Sequence, residues 1–276
     1  MKLFLFFLCF VGAAQSLSAE SDAWTVVIDP GHGGVLKMGV NDGSDSSHGA
    51  SHNNATGKTP GGTVLEKTLT LAYSKAIAAE IKKLPDARAV LTRDADVSIS
   101  AMGRAATAVE HQADVFLSIH FNGGGGSGTR AYVVAEDHEK WEYMHFTNPY
   151  IKRDSALGLK LVQALDKTYT PYGGEPSATK VFNDSKFPSD ANGLGLGNLK
   201  DGIRTLGYTR MDPHLHNTAV VLLEVEFLDN PATAEWLVKE KVRQETAKAI
   251  AAALQEWRTS GAKEFLVPAP VKSPGR

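Results

Sequence analysis

The stretch AVVLLEVEF at Ala219–Phe227 constrains the fold of this chain more than any other. Val220–Leu223 is continuously apolar, as a central strand covered on both faces should be. Such strands belong to parallel sheets sandwiched between helices, and the rest of the pattern agrees. Ala23–Asp29 alternates into a buried strand, and Gly31, Gly33 and Gly34 mark the turn after it. Leu65, Leu69, Ala72, Tyr73, Ala76, Ile77 and Ile81 form the stripe of an amphipathic helix over 64–83. Arg88–Arg93 reads as a strand, Ser98–Gln112 as a helix, and Asp114–Phe121 and Arg130–Ala135 as strands. Ser155–Lys167 follows as a helix, and a single long helix over 232–258 closes the pattern. This alternation predicts an α/β fold: one three-layer domain, with a mostly parallel twisted sheet of about six strands and helices on both faces.

The ends of the chain read differently. MKLFLFFLCFVGAAQSLSA has an early lysine, an apolar run and small residues near its end, the pattern of a signal peptide over 1–19. The run is short for a membrane span, so no membrane anchor is expected after cleavage, and the destination is periplasmic or extracellular. Cys9, the only cysteine, leaves with the leader, so any metal must be held by His and carboxylate. EFLVPAPVKSPGR has three prolines and little periodicity, which makes 260–276 a loose tail and 23–259 the domain. Charge is nearly balanced, 29 basic against 31 acidic residues, and implies no face for nucleic acid. Two enlarged loops, 35–62 without an apolar period and 136–200 around the Ser155–Lys167 helix, interrupt the domain.

Three strand ends deliver a group able to bind or serve a metal: His32 in VVIDPGHGG, His120 in DVFLSIHFN and Glu224 in VVLLEVEF. In a parallel sheet these ends share one edge, where ligands bind. Each has an ordinary reading beside the functional one. His32 lies between glycines, as a turn residue would. His120 ends a buried strand, where a core histidine is common. Glu224 follows the apolar run, where a carboxylate is expensive to bury unless paired or coordinated. Glu66 completes the set, although Thr63-x-x-Glu66 before an apolar stripe is also the pattern of a capping box, and locally that role is favoured. Two histidines and a glutamate with an open position suit a catalytic zinc, and a free carboxylate beside them suits its base.

VVIDPGHGG, LEKTLTLA, VLTRDADVSISAMGRAATAVEHQADVFLSIHFN and VVLLEVEFLDNP, in that order, resemble the zinc-dependent N-acetylmuramoyl-L-alanine amidases, bacterial cell-wall hydrolases of α/β fold. The resemblance covers roughly 24–135 and 200–255. It implies one Zn²⁺ per chain held by His32, Glu66 and His120, with Glu224 as catalytic general base and acid. The implied reaction is hydrolysis of the amide between the lactyl group of N-acetylmuramic acid and L-alanine in peptidoglycan. An activator protein remains an open partner. Other readings of the same residues are a zinc peptidase acting within the stem peptide, and a wall-binding or regulatory protein of the same fold without chemistry. Phosphate or nucleotide binding through DPGHGG lacks the Gly-Lys-Ser/Thr that would support it.

The chain departs from the family at Glu226, where a small residue is usual, and in its longer 35–62 and 136–200 segments. Glu226 either raises the proton affinity of Glu224 by like-charge repulsion or sits apart on another partner. Asn122 reads as an edge polar residue or a substrate contact. His214 and His216 read as exposed or as sharing a face near the site. His48 and His52 lie in a Gly/Ser/Asn stretch where their spacing has no geometric force. His138 and His145 fall in the aromatic-rich EDHEKWEYMHF, which the sequence suggests as a gate over the cleft.

Overall fold

The computed structural model describes residues 24–34, 55–134, 137–141, 144–174, 183–184, 187–188, 194–196 and 203–260. The leader at 1–19, most of the 35–62 loop with His48 and His52, much of 136–200, and the tail beyond Ser260 lie outside the described residues.

Among the described residues, twelve strands and six helices follow in chain order. The first part holds β1 (Trp24–Pro30), β2 (Thr56–Thr59), β3 (Gly62–Leu65), α1 (Glu66–Ile81), β4 (Ala87–Leu91), α2 (Ala101–Glu110) and β5 (Val115–Asn122). The middle holds β6 (Arg130–Val133), β7 (Asp137–Trp141), β8 (Met144–Thr147), α3 (Ile151–Tyr169), β9 (Asn183–Asp184), β10 (Phe187–Pro188) and β11 (Leu194–Leu196). The chain ends in α4 (Ile203–Met211), β12 (Ala219–Phe227), α5 (Pro231–Leu237) and α6 (Glu240–Ser260). Six strands form the main sheet in the order β11-β6-β12-β5-β1-β4. β4, β1, β5 and β12 run parallel, and β6 pairs antiparallel with β12.

Strand alternation sorts the buried side chains into two cores, one on each face of the sheet. Val26, Ile28, Leu117, Ile119, Val221 and Leu223 pack with Ile77 of α1, Leu161 of α3 and Ile250 of α6. Val27, Phe116, Val220 and Leu222 meet Ala108 of α2 and Leu206 of α4. The expected three-layer α/β domain is therefore the observed one, and β12, read first from the sequence, lies inside the sheet. Among the described residues no helix is long and apolar enough to cross a membrane.

Local differences have local causes. The expected helix over 64–83 starts at Glu66, because Thr63–Leu65 is drawn into a hairpin with Thr56–Lys58. The expected single helix over 232–258 is two, α5 and α6. The break follows Leu237, whose carbonyl accepts the buried Tyr73 hydroxyl at 2.7 Å instead of serving the helix. The aromatic stretch forms the β7–β8 hairpin, so part of 136–200 is regular structure that its mixed composition concealed.

Leu223 is fully buried in β12. Leu223→Ala should lower unfolding stability by about 2–5 kcal/mol, with the denaturant midpoint falling at constant m-value.

Candidate functional site

Building the site begins at the end of β1. Asp29 is buried there among polar partners: Arg104 Nη1 at 2.5 Å, Thr92 Oγ1 at 2.6 Å and Ser118 Oγ at 2.8 Å all donate to its carboxylate. Burial pushes this carboxyl up, but the Arg104 guanidinium and the two hydroxyls outweigh burial and hold it below its ordinary value.

After Pro30 the chain turns, and His32 takes the left-handed φ of 58° that a non-glycine residue rarely adopts. Two buried arginines hold this turn by its carbonyls. Arg104 donates to Pro30 O at 2.8 Å and His32 O at 2.7 Å. Arg93 donates to Pro30 O at 2.9 Å and Gly31 O at 2.7 Å. Gly31 is required by what lies against it, since a Cβ there would stand 2.3–2.6 Å from the His120 ring. His32 and His120 thereby meet edge to face, with ring centroids 4.8 Å apart.

The third residue arrives from the start of α1. Glu66 does not cap the helix: the N-cap is Leu65 and makes no side-chain cap bond. The capping-box reading is therefore overturned, for a physical reason. Thr63 is paired with Lys58 in the hairpin, and the Glu66 carboxylate has turned toward the two imidazoles. Its Oε1 lies 2.9 Å from His32 Nε2 and 3.1 Å from His120 Nδ1, and also accepts the Phe121 amide at 2.9 Å. Its Oε2 accepts the Ala55 amide at 2.8 Å, while the Glu66 amide donates to Ala55 O at 3.0 Å. His32, Glu66 and His120 each offer one atom that could bind a metal, and these atoms lie within 4.8 Å of one another. Burial raises Glu66, but His32 and then His120 overcome it and bring the carboxyl down to about 2. Burial lowers His120, with Glu66 opposing that shift and His32 adding to it.

Glu224 sits directly across the strand pair from His120. Its Oε2 is buried and has no hydrogen-bond partner among the described residues. Burial, with the negative charge of Glu66 added, raises its carboxyl well above the ordinary value. An unpaired acid beside two imidazoles and a carboxylate has the donor chemistry of a divalent-metal centre with its base. Two imidazole nitrogens and a carboxylate oxygen are a donor set that fits such an ion.

Glu226 takes the second of its two expected courses. It is buried and accepts the amides of Gly128 at 2.6 Å and Phe227 at 2.9 Å. It does not figure among the causes that raise Glu224. Asn122 Oδ1 accepts the Gly123 amide at 2.9 Å, an edge-polar role. His214 lies within the short 3-10 turn Pro213–Leu215 and His216 follows it, before β12 and at the opposite end of that strand from Glu224. The side chains of His138 and His145 lie outside the described residues.

Sequence reasoning missed Asp29, Arg93 and Arg104. A signal was present for Arg104. It stands on the buried stripe of α2 with Ala101, Ala105 and Ala108, and a guanidinium in that company needs a buried acid.

Residues 26–256 match the family model described as N-acetylmuramoyl-L-alanine amidase. The sporulation-specific N-acetylmuramoyl-L-alanine amidase of Bacillus subtilis (strain 168) is 30% identical over 146 residues, covering 52% of this chain and 51% of that protein. The probable N-acetylmuramoyl-L-alanine amidase AmiB of Haemophilus influenzae is 34% identical over 116 residues, 42% of this chain and 22% of that protein. The chain thus spans about half or less of the length of these relatives. Among solved structures, the N-acetylmuramoyl-L-alanine amidase of Clostridium difficile 630 superposes with a TM-score of 0.55 at 23% identity, covering 87% of this chain and 100% of that one. The CwlD amidase of Clostridioides difficile, solved in complex with the GerS lipoprotein, gives 0.55 at 17% identity, covering 86% and 100%. At these identities the structural likeness is one of fold.

The depressed Asp29 carboxyl makes a pH prediction. Its contribution is present above the unfolded carboxyl value of about 4 and is lost as pH falls through the lower folded value. Asp29→Asn should therefore lose about 3 kcal/mol at neutral pH. The gap to wild type should close in denaturant titrations as the pH is taken below about 4.

Proposed function

The chain belongs to the N-acetylmuramoyl-L-alanine amidase family, and from that membership we propose that it hydrolyses the amide joining the lactyl group of N-acetylmuramic acid to L-alanine in peptidoglycan, with one zinc ion held by His32, Glu66 and His120. The observation that carries this reading is the convergence of two imidazole nitrogens and a carboxylate oxygen within 4.8 Å, with a buried, unpartnered acid beside them. Two nitrogens and one carboxylate oxygen suit zinc better than the oxygen-seeking magnesium or calcium.

His32, Glu66 and His120 would hold the zinc ion, which would supply Lewis acidity toward the scissile carbonyl and the attacking water and would offset the like charge of Glu66 on Glu224. Glu224 accepts the proton of that water as it attacks, and delivers it to the departing amine of L-alanine. Its position opposite His120 on the adjoining strand keeps the base at a fixed place on the sheet edge. Glu66 is oriented by the amides of Ala55 and Phe121, so its carboxylate does not have to reorganise when the reaction begins. Gly31 lets the His120 ring lie flush against the turn that carries His32.

The leader at 1–19 is proposed to export the chain to the compartment where peptidoglycan lies. Residues 23–259 form the catalytic domain in this reading.

Glu224→Gln keeps the shape and removes the base. It should retain zinc by elemental analysis and lose at least about a hundred-fold in release of stem peptides from sacculi; near-normal turnover would reject the role of Glu224. His120→Ala and Gly31→Ala should both lower zinc content, the first by removing a ligand and the second by displacing its ring. Unchanged zinc in a folded His120→Ala protein would reject the ligand set.

A further inference from the structure

The loop between β5 and β6 crosses the carboxyl edge of β12 beside Glu224. It departs two residues after His120 and returns at Arg130, and both of these residues are register partners of Glu224. Its sequence over 123–128 is GGGGSG, a run that carries the highest conformational entropy a chain can have. Asn122 accepts the Gly123 amide and Arg130 donates to Ser127 O, and further side-chain holds come from β12 or the residues just beyond. Asp229 Oδ2 accepts the amides of Gly124 at 2.6 Å and Gly125 at 2.8 Å. Glu226 Oε1 accepts the amide of Gly128 at 2.6 Å. Thr129 Oγ1 donates to Val225 O at 2.9 Å, and Asn230 Nδ2 to Gly126 O at 3.4 Å. Gly126 lies flush on the Phe227 ring, where a Cβ would come within 2.5 Å of two ring carbons. Among the described residues, a Cβ at Gly124 or Gly125 would meet nothing within 4 Å.

We propose that Glu226 and Asp229 are positioning residues that hold this glycine loop as a backbone ledge, on which the stem peptide lies while its first amide is cut. The inference rests on the amidase reading and adds the place where the peptide binds. Four features carry it. A carboxylate that accepts two amides holds a loop firmly, and a loop ordered beforehand does not have to be ordered by the substrate. Four consecutive positions without side chains allow another backbone to approach closely. Asp229 engages the amides of Gly124 and Gly125, so the ledge offers carbonyl oxygens, which accept the N–H groups of an extended peptide. The register irregularity between Glu224 and Phe227 separates the two jobs: Glu224 faces the His–Glu–His cluster, and Glu226 turns to the loop.

The test compares Asp229→Ala and Asp229→Asn with wild type in the full chain, on soluble muramyl peptides with stems of increasing length. Asp229→Ala should raise KM about ten-fold with kcat within about two-fold, and the KM effect should grow with stem length. Zinc content should not change, and amide hydrogen exchange at Gly124 and Gly125 should accelerate. Asp229→Asn keeps an acceptor oxygen and should restore KM most of the way. Faster exchange with an unchanged KM would overturn the ledge, since the loop would then be loosened without consequence for substrate. A fall in kcat together with zinc loss would overturn it too, by showing that Asp229 serves the metal centre. A wild-type chain that cleaves no muramyl amide would overturn the amidase reading and this inference with it, whereas a cleaving wild type matched by Asp229→Ala sinks the ledge alone.

Discussion

The buried pair between Asp29 and Arg104 is the interaction on which the arrangement around it depends. Ion pairs out of reach of water are expensive, because both charges lose their hydration. Here the expense is offset by completeness: the carboxylate takes an arginine and two hydroxyls, and the guanidinium divides its remaining hydrogens among backbone carbonyls. One contact thereby ties together the end of β1, the segment after β4, the middle of β5 and the helix α2. The turn that carries His32 is fastened to that knot through its own carbonyls, and it keeps a left-handed residue in place where an unsupported chain would relax.

With the turn fixed, sheet topology does the rest. β1, β5 and β12 lie side by side and parallel, so their carboxyl ends coincide. His120 and Glu224 are register partners and His32 stands one turn away. The helix α1 starts at the same edge and supplies Glu66. A single oxygen of Glu66 lies within hydrogen-bonding distance of a nitrogen of each imidazole, so one carboxylate joins His32 to His120.

How far this could be seen in the sequence differs from residue to residue. Glu224 stands out because a carboxylate after an apolar run is expensive to bury unpaired, while His120 gains its weight from convergence with the other strand ends on one sheet edge. Both faces of the sheet were legible from continuous apolar runs. Glu66 was not legible locally: Thr63-x-x-Glu66 fits a helix cap, and only long-range pairing of the preceding residues with Thr56–Lys58 removes that option. Arg104 and Arg93 escaped because a buried arginine is defined by its distant partners. The split between α5 and α6 escaped because it depends on one tyrosine from another helix. Local pattern reports periodicity, while these features are set by contacts between residues far apart in the chain.

The reciprocal bonds between Ala55 and Glu66 have a consequence for how this protein can change over evolutionary time. Ala55 stands immediately after the long Gly/Ser/Asn-rich stretch, and both its amide and its carbonyl are committed to Glu66. Insertions or deletions upstream therefore end at an anchored residue and are not transmitted to Glu66. A lineage can vary the length of that stretch while the geometry of the His32–Glu66–His120 cluster is inherited intact.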